Sequence, residues 1–270
     1  MTDTIRKHYL ISFYIITLLF SILLLTLHFV FQSVGKYSIS FTQLSPALAV
    51  ILISLILKDK TIISDIKKHS QINKAAAKWT IPVIVIPSIC IIFSGFIMTC
   101  LNINYVPWSG DMLFYILNFA GILIGSIAEE IGWRGFLLPN LQKKHSPFIS
   151  SIIVGILWGV WHLNFTGGIL GFVLYTVTII EMSILMTCVY NKSNGNLTLM
   201  TVWHLVFNLT SCIFLWERFT LQLFVVESFV FGVLCLLILI IERKTYFIKS
   251  SVEECFLRDR HSGRKGQDID

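Results

Sequence analysis

Two adjacent glutamates, Glu129 and Glu130, stand inside a long apolar stretch of the sequence, and Arg134 follows them by about one helical turn. Ionisable side chains in such surroundings cost free energy, so by default they mark a functional site. Because Glu130 and Arg134 are four residues apart, they can form an ion pair on one face of a helix. Glu129 lies about 100° away around that helix and is left for other chemistry. The structural alternative is an ion pair at the membrane interface beside a spare glutamate.

Two further pairs of polar or aromatic side chains have the same spacing. Trp158 and His162 are four residues apart, as are His204 and Asn208, so each pair shares one face of a helix. Taken singly, His162 is compatible with an ordinary interfacial histidine. His204 and Asn208 are likewise compatible with a hydrogen bond between two membrane helices.

Helical geometry predicts that these groups meet in the bundle interior. Two antiparallel helices joined near residues 143–147 would place Glu129 and His162 at the same depth, about 25 Å from the turn. Asn208 would lie about 18 Å from its own loop. Peptide hydrolysis needs a base for water, donors for the tetrahedral oxyanion and an acid for the leaving amine. One carboxylate, two imidazoles and one amide in a buried cavity can supply all three.

The three motifs together resemble those of the CAAX protease and bacteriocin-processing (CPBP/Abi) family. The family motifs EExxxR, FxxxH and HxxxN resemble Glu129-Glu130-xxx-Arg134, Trp158-xxx-His162 and His204-xxx-Asn208, with tryptophan in place of the usual phenylalanine. The similarity covers about residues 112–216, and the first three apolar stretches carry no signature. The residues that follow the glutamates, as far as Pro139, are more similar to bacterial members than to eukaryotic prenyl-protein proteases.

The resemblance implies an intramembrane glutamic endopeptidase of the CAAX prenyl protease type, with a core of eight helices. It implies that Glu129 and His162 activate water, and that His204 and Asn208 stabilise the oxyanion. It requires no metal or other cofactor. Prenylated C-terminal peptides, bacteriocin leader peptides and other membrane-associated peptides or proteins all fit as substrates, and nucleic acid is not expected as a partner. The residues expected to support the catalytic groups are Glu130, Arg134 and Trp158.

Composition independently indicates a membrane protein. Of the 270 residues, 55% are hydrophobic and 13% are charged, and the mean hydropathy is +0.78. Because soluble domains carry about 25% charged residues, these values exclude a soluble globular protein, a disordered chain and a small secreted scaffold. The six cysteines form no CxxC pair, which favours buried apolar thiols over metal ligands or disulfides.

The motifs lie on or between eight apolar stretches, and each stretch is long enough to cross a bilayer as a helix. The sequence therefore predicts an all-α, polytopic bundle of about eight transmembrane helices. The first stretch is too long for the apolar part of a signal peptide and no small-residue cleavage site follows it, so we expect it to be retained. The predicted spans are residues 9–31, 39–57, 79–101, 112–138, 148–166, 168–190, 197–216 and 220–241.

This pattern divides the chain into three regions. Residues 1–111 form an N-terminal three-helix membrane region, residues 112–241 form the catalytic core, and residues 242–270 form a polar cytoplasmic tail. The tail is expected to be disordered, because it is rich in charge and poor in apolar residues.

Lysine and arginine are distributed very unevenly between the two sides of the predicted bundle. With both termini on one side, 19 of the 21 basic residues fall on that side and 2 on the other. Cytoplasmic loops carry the excess of Lys and Arg, so we expect a multi-pass protein of the cell membrane with both termini in the cytoplasm. The basic loop 58–78 is either a topology signal only or a surface that lies on anionic lipid headgroups.

Other classes of membrane protein fit the sequence less well. Zinc site-2 and rhomboid proteases need HExxH and GxSG motifs, aspartyl types need two membrane aspartates, and the sequence contains none of these. Zinc bound by Glu129, His162 and His204 is a chemical alternative, because Glu with two His suits that metal. Glu181 and Glu227, which hydrolysis does not use, would suit a proton-coupled transporter, but no inverted repeat is visible. A catalytically silent membrane scaffold is the third class.

Overall fold

The computed structural model describes residues 8–30, 41–103, 110–215 and 220–247, and every regular element in these ranges is helical. A 3₁₀ turn, Phe41–Leu44, leads into α2, and a π-helical turn, Trp133–Leu137, joins α6 to α7. The α-helices are α1 (Tyr9–Val30), α2 (Ser45–Leu57), α3 (Thr61–His69), α4 (Lys74–Ala77), α5 (Thr80–Cys100), α6 (Met112–Gly132), α7 (Leu138–Gln142), α8 (Pro147–Trp161), α9 (Gly168–Lys192), α10 (Leu197–Leu215), α11 (Leu221–Ile241) and α12 (Arg243–Phe247).

Within the described ranges, six helical segments are long and apolar enough to cross a membrane. Two shorter apolar segments, Phe41–Leu57 and Pro147–Trp161, correspond to the second and fifth predicted spans. The predicted all-α, polytopic membrane bundle is thereby confirmed, and the chain is a multi-pass membrane protein. The six long segments are Tyr9–Leu27, Lys74–Cys100, Met112–Gln142, Gly168–Lys192, Leu197–Leu215 and Leu221–Ile241.

The fifth predicted span ends earlier than the sequence indicates. We expect a helix to residue 166, but α8 ends at Trp161, and His162 caps it. Leu163 has a φ of 47°, a left-handed conformation that a continuing right-handed helix does not allow. The chain then returns to α9 through Gly167, whose φ of 79° favours glycine. His162 therefore lies at a helix end rather than inside the helix.

Two glycines let α8 approach α9 very closely. A Cβ atom built on Gly155 would lie 2.6 Å from the Cα of Ile180, and one built on Gly159 would lie 3.0 Å from the Cα of Thr176. The glycines are four residues apart, which is the small-xxx-small pattern of tightly packed membrane helices. This contact fixes the end of α8, and so His162, against α9.

The predicted span 112–138 is helical over its whole length, but it is not a uniform α-helix. The π turn inserts one residue per turn relative to α geometry, and such turns are frequent at functional sites. It carries Arg134, whose side chain is fully buried. Just before it, Gly132 packs against α2, since a Cβ there would lie 2.4 Å from the Cβ of Pro46.

The basic residues gather at one end of the bundle. The turn between α9 and α10 contacts the α3–α4 connection, where Asn196 Nδ2 donates to the carbonyl of Gln71 at 2.7 Å. The start of α1 lies at the same end, because the Tyr9 hydroxyl donates to the carbonyl of Asn140 at 2.8 Å. Among the described residues, every lysine and arginine except Arg134 lies in the connections or helix ends on this side. Which side of the membrane this end faces stays a prediction.

The start of the tail is ordered, contrary to the expectation of disorder from Glu242 onward. Residues Arg243–Phe247 form α12, and the Tyr246 side chain is 1% exposed. Its hydroxyl donates to the carbonyl of Ile184 at 2.6 Å. A buried aromatic ring with a satisfied hydroxyl supplies the apolar burial that the composition of the tail does not reveal. The predicted disorder of the remaining tail concerns residues 248–270, which lie outside the described ranges.

Candidate active site

Glu130 accepts hydrogen bonds from two basic side chains in the bundle interior. Arg134 Nη1 donates to Glu130 Oε1 at 3.0 Å, and His204 Nδ1 lies 3.0 Å from the same oxygen. Glu130 and Arg134 are 0% exposed and His204 is 3% exposed. The ion pair predicted from the four-residue spacing is therefore present. The contact between Glu130 and His204 also connects α6 to α10.

Glu129 has a different partner, although it is the next residue in the chain. The indole Nε1–H of Trp158 donates to Glu129 Oε2 at 2.7 Å, and the carboxylate is 0% exposed. Glu129 Oε1 is buried and has no hydrogen-bond partner among the described residues. A buried carboxylate oxygen without a donor is costly, so this atom is available to a ligand. Glu130 Oε2 is also buried without a partner among the described residues.

The Trp158 ring lies between the charged groups. Arg134 Cζ sits 4.2 Å from the ring centroid, a cation–π contact, and the His204 ring meets it edge-on at 5.2 Å. The ring is 1% exposed. Trp158 therefore links the two glutamates. Its N–H donates to Glu129, and its ring face contacts Arg134, the partner of Glu130.

His162 is oriented by the backbone of the same tryptophan. Its Nδ1 lies 2.8 Å from the carbonyl oxygen of Trp158. A carbonyl can only accept, so Nδ1 carries the hydrogen, and in a neutral imidazole Nε2 keeps a lone pair. The ring is half-buried and meets the Tyr175 ring edge-on at 5.4 Å.

Asn208 is the least constrained of the expected site residues. It lies on α10 one turn after His204 and is half-buried. No described residue makes a hydrogen bond to its side chain. The structure thus joins five of the expected residues in one contact network: Glu129, Glu130, Arg134, Trp158 and His204. His162 is linked to this network through the Trp158 carbonyl. Asn208 shares a helix face with His204 but makes no hydrogen bond to the network within the described ranges.

Two supporting residues were not indicated by the sequence. Trp161 Nε1 donates to Ser21 Oγ at 2.8 Å, and Ser21 belongs to α1. The Trp161 ring contacts both the His162 ring, at 4.9 Å, and the Trp133 ring, at 6.0 Å. Trp161 directly precedes His162 in the sequence, and this closeness is the signal that could have found it; no sequence signal marks Ser21. The N-terminal region therefore packs directly behind the site.

A metal centre finds no support in the arrangement of side chains. Over the ranges that the structure describes, no group of three or more His, Cys, Asp or Glu residues is placed to hold a metal ion. The zinc alternative built on Glu129, His162 and His204 therefore rests on residue type alone.

Comparison with known proteins bears directly on this region. Residues 111–210 match the family model described as type II CAAX prenyl endopeptidase Rce1-like. All seven expected site residues lie inside the matched segment. This part of the chain is similar to the Rce1-like family. The resemblance inferred from the three motifs is confirmed.

A curated relative gives a result consistent with the family match. CAAX prenyl protease 2 of Methanococcus maripaludis is 26% identical over 140 residues, which are 47% of this chain and 51% of the relative. The chain thus aligns with about half the length of the curated relative it matches. Both matches are to prenyl proteases, and neither favours a transporter or a silent scaffold.

Proposed function

We propose that the protein is an intramembrane endopeptidase that hydrolyses peptide bonds of membrane-associated peptides or proteins. The observation that carries the proposal is the buried carboxylate of Glu129. One of its oxygens is fixed by an indole N–H, and the other is buried without a donor among the described residues. The match of residues 111–210 to the Rce1-like family supports the same activity.

Water is activated between Glu129 and His162 in this proposal. Glu129 Oε1 accepts a proton from the water, while the lone pair on His162 Nε2 accepts its second hydrogen bond. The Trp158 carbonyl keeps the His162 Nδ1–H donor occupied, so that Nε2 is the nitrogen available to water. Positioned base catalysis of this kind contributes about 10²–10⁴-fold.

The oxyanion is stabilised by His204 and Asn208. The Nδ1 of His204 is engaged by Glu130 Oε1 at 3.0 Å, so Nε2 is the ring nitrogen left to face the substrate oxygen. The amide of Asn208, one turn along α10 and without a hydrogen-bond partner in the part of the chain that the structure describes, supplies a second donor of the type used in oxyanion sites.

The proposed hydrolysis needs only the peptide and one water molecule as reactants. Hydroxide from the activated water attacks the scissile carbonyl, and the oxyanion forms opposite His204. When the intermediate collapses, the C–N bond breaks and the proton held by Glu129 passes to the leaving amine. The products are a carboxylic acid and an amine, and Glu129 returns to its carboxylate form.

The substrates we propose are peptides presented from the lipid bilayer, with prenylated C-terminal peptides and bacteriocin-like leaders as the first to test. The site lies inside a bundle whose outer helices expose many large apolar side chains, such as Ile81 at 73% and Ile240 at 70%. A substrate that is itself lipid-anchored reaches such a site without leaving the membrane.

Hydrolysis of fluorogenic peptides, prenylated and unprenylated, by the purified protein tests the proposal. Glu129→Gln keeps the shape of the side chain but removes the base, and we expect hydrolysis to fall at least 10²-fold. Glu181→Gln is a matched control, since Glu181 is an acidic residue of α9 outside the site. Full activity in Glu129→Gln would contradict the proposal, as would equal losses in both variants.

Chelation separates the water-activating glutamate from a zinc-dependent mechanism. We expect peptide hydrolysis to survive exhaustive dialysis against EDTA and phenanthroline, because the proposed donors and base are protein side chains. Loss of activity that zinc alone restores would replace the proposed mechanism with the metal one.

A further inference from the structure

Helix α3, between the second and third spans, has one side buried against the catalytic region. Ile66 is buried, and its Cγ1 lies 3.3 Å from the position that a Cβ on Gly135 would occupy. Gly135 belongs to the π turn that carries Arg134. The Leu197 side chain, at the start of α10, lies equally close to that position. The inner face of α3 therefore rests on the segment that holds the buried ion pair.

The connection after α3 is held in place by hydrogen bonds. Thr198 Oγ1 donates to the carbonyl of Ser70 at 2.6 Å, and Asn196 Nδ2 donates to the carbonyl of Gln71 at 2.7 Å. Asn73 caps the short helix α4, since its side chain accepts from the backbone N–H of Ala76. The basic loop predicted from the sequence is thus an ordered surface.

The outer side of this segment combines lysines with an exposed isoleucine. Lys60, Ile63 and Lys67 follow one another at three- and four-residue spacing, so they form one stripe along α3. Both lysines are exposed, and Ile63 is 43% exposed. Exposed Lys74 and Lys78 continue the basic surface toward α5.

The acidic residue of α3 faces another way. Asp65 is two residues from Ile63, about 200° around the helix. It therefore does not lie beside the Lys60–Ile63–Lys67 stripe. The stripe therefore presents two positive charges, and the one acidic group at its start, Asp59, accepts from the N–H and the hydroxyl of Thr61.

The place of α3 between two apolar segments is the one expected for a helix at the boundary between headgroups and acyl chains. Helix α3 connects α2 to α5, two apolar segments that run into the bilayer. Gly135, against which it packs, lies seven residues before the end of α7, or about 10 Å inward by helical rise. Trp79, half-buried, opens α5, and tryptophan is enriched at this level of a membrane.

We propose that this surface binds the anionic phospholipid headgroups of the membrane that contains the protein. Lys60, Lys67, Lys74 and Lys78 pair with lipid phosphates, and Ile63 inserts between the acyl chains. A signal for topology alone requires only positive charge in a connection. It requires neither an ordered amphipathic helix nor an apolar side chain between two lysines, which is the pattern of interfacial membrane-binding helices.

Lipid retention measures this proposal directly. The full-length protein is reconstituted in mixed phosphatidylcholine and phosphatidylglycerol vesicles and re-extracted, and the retained lipids are counted by native mass spectrometry. We compare the wild type with a triple variant, Lys60→Gln, Lys67→Gln and Lys74→Gln. Because each lysine near an anionic surface contributes a factor of about five, we expect the preference for phosphatidylglycerol to fall by one to two orders of magnitude.

The matched control neutralises three exposed lysines at the same end of the bundle but outside this surface. These are Lys143, Lys144 and Lys244, each changed to Gln. We expect the control to retain phosphatidylglycerol nearly as the wild type does, and a Lys→Arg version of the α3 triple variant to retain it fully. Unchanged lipid retention in the α3 variant, or equal losses in both triple variants, would overturn the proposal.

A second arm of the experiment rests on the proposed proteolysis. Since Ile66 packs on the π turn beside Arg134, headgroup binding should hold that turn in place, and phosphatidylglycerol should raise peptide hydrolysis by the wild type more than by the α3 variant. Lipid retention does not use proteolysis, so its outcome stands apart from that of the proposed function.

Discussion

At the scale of single residues, the two adjacent glutamates differ in what they leave behind when they are changed. Glu130→Gln removes the anionic partner of Arg134, a fully buried cation. We expect it to destabilise the protein by roughly 3–5 kcal/mol, the cost of breaking a buried pair. Glu129→Gln keeps an acceptor for the Trp158 N–H, so its unfolding temperature should stay closer to that of the wild type than the unfolding temperature of Glu130→Gln does. Its activity per folded molecule should fall more than that of Glu130→Gln. Thermal unfolding in detergent and peptide hydrolysis measure the two effects separately.

Removing the orphaned charge should restore part of that stability. The double change Glu130→Gln with Arg134→Met removes both members of the ion pair, and replacing a buried ion pair by uncharged groups is often neutral or stabilising. We therefore expect it to unfold at a higher temperature than Glu130→Gln alone. If Glu129→Gln kept full activity while Glu130→Gln was folded and inert, the roles of the two glutamates would be reversed.

The indole N–H of Trp158 should affect turnover rather than substrate binding. Trp158→Phe removes the donor to Glu129 but keeps an aromatic ring and the backbone carbonyl that orients His162. A hydrogen bond to a charged group contributes about 1.5–3 kcal/mol, so we expect kcat to fall about ten- to hundredfold with little change in KM.

Trp203→Phe is the control for that substitution. Trp203 is also fully buried, but its Nε1 has no hydrogen-bond partner among the described residues. The change in volume is the same, and no bond to a carboxylate is lost. A drop in kcat of equal size in both variants would show that volume, not the hydrogen bond to Glu129, controls turnover.

Spacing along one helix was sufficient to predict some of these contacts and not others. The Glu130–Arg134 pair follows from the i,i+4 rule, because both residues lie on one turn of helix. The bond from Trp158 to Glu129 joins residues 29 positions apart on different helices. It depends on how closely α8 approaches α6, which the sequence pattern of either helix alone does not determine.

At the scale of helices, the contact between α8 and α9 should be sensitive to a single methyl group. Gly155→Ala would place its Cβ 2.6 Å from the backbone of Ile180, so one helix must shift. Overpacking of this kind costs about 1–3 kcal/mol, and thermal unfolding in detergent should report it.

Gly95→Ala is the comparison for that change in helix packing. At Gly95 a Cβ meets its nearest neighbour, the carbonyl oxygen of Phe214, at 3.5 Å, an ordinary contact. Because alanine favours helix more than glycine does, we expect Gly95→Ala to be neutral or slightly stabilising. Equal destabilisation in both variants would mean that the α8–α9 approach is not the cause.

The link between α9 and the start of the tail should weaken in acid. Lys192 Nζ donates to Glu242 Oε1 at 2.5 Å, and this bond lowers the pKa of the Glu242 carboxyl below its ordinary value. A lowered folded-state pKa contributes stability above the unfolded-state pKa and loses it as pH falls through the folded-state pKa.

Substitution of Glu242 tests this dependence on pH. The pair is partly exposed, so we expect Glu242→Gln to cost less than about 1 kcal/mol near neutral pH. The difference in unfolding temperature between variant and wild type should shrink once the pH falls below about 4, where an ordinary glutamate is protonated. A difference that is constant with pH would exclude the ion pair as its origin.

Helix existence was easier to predict than helix shape. Long apolar stretches identify the spans because the bilayer requires about 20 apolar residues per helix. The early end of α8 depends instead on the left-handed backbone at Leu163, and the π turn depends on packing around Gly132 and Arg134. The pattern of apolar residues predicts neither the early end of α8 nor the π turn. The ordering of α12 likewise depends on one buried tyrosine.

At the scale of the whole molecule, the packing of α1 changes how the N-terminal region is understood. The first three spans carry no family signature, and the division at residue 111 stays a prediction. Yet Ser21 of α1 accepts a hydrogen bond from Trp161, whose ring contacts the His162 ring. The N-terminal region thus contributes to positioning the site, although the family match begins only at residue 111.

The orientation of the bundle follows from the one-sided distribution of its basic residues. Because Lys and Arg are concentrated in cytoplasmic loops, we expect the end that holds α3, α12 and the Lys143–Lys144 turn to face the cytoplasm. The test uses two variants without the native cysteines, each with one new cysteine. The cysteine at Gln71 precedes α4 and α5 in the chain, and the cysteine at Asn104 follows α5.

A membrane-impermeant maleimide added to intact cells should modify the cysteine at 104 and leave the one at 71 unmodified. Disruption of the membrane should then expose position 71, which is on the surface of the protein, and this serves as the control for its reactivity. Labelling of position 71 in intact cells, with position 104 protected until lysis, would mean that the basic end faces outward. In that case the distribution of Lys and Arg would have another cause, and the anionic surface bound by α3 would have to be that of the outer leaflet.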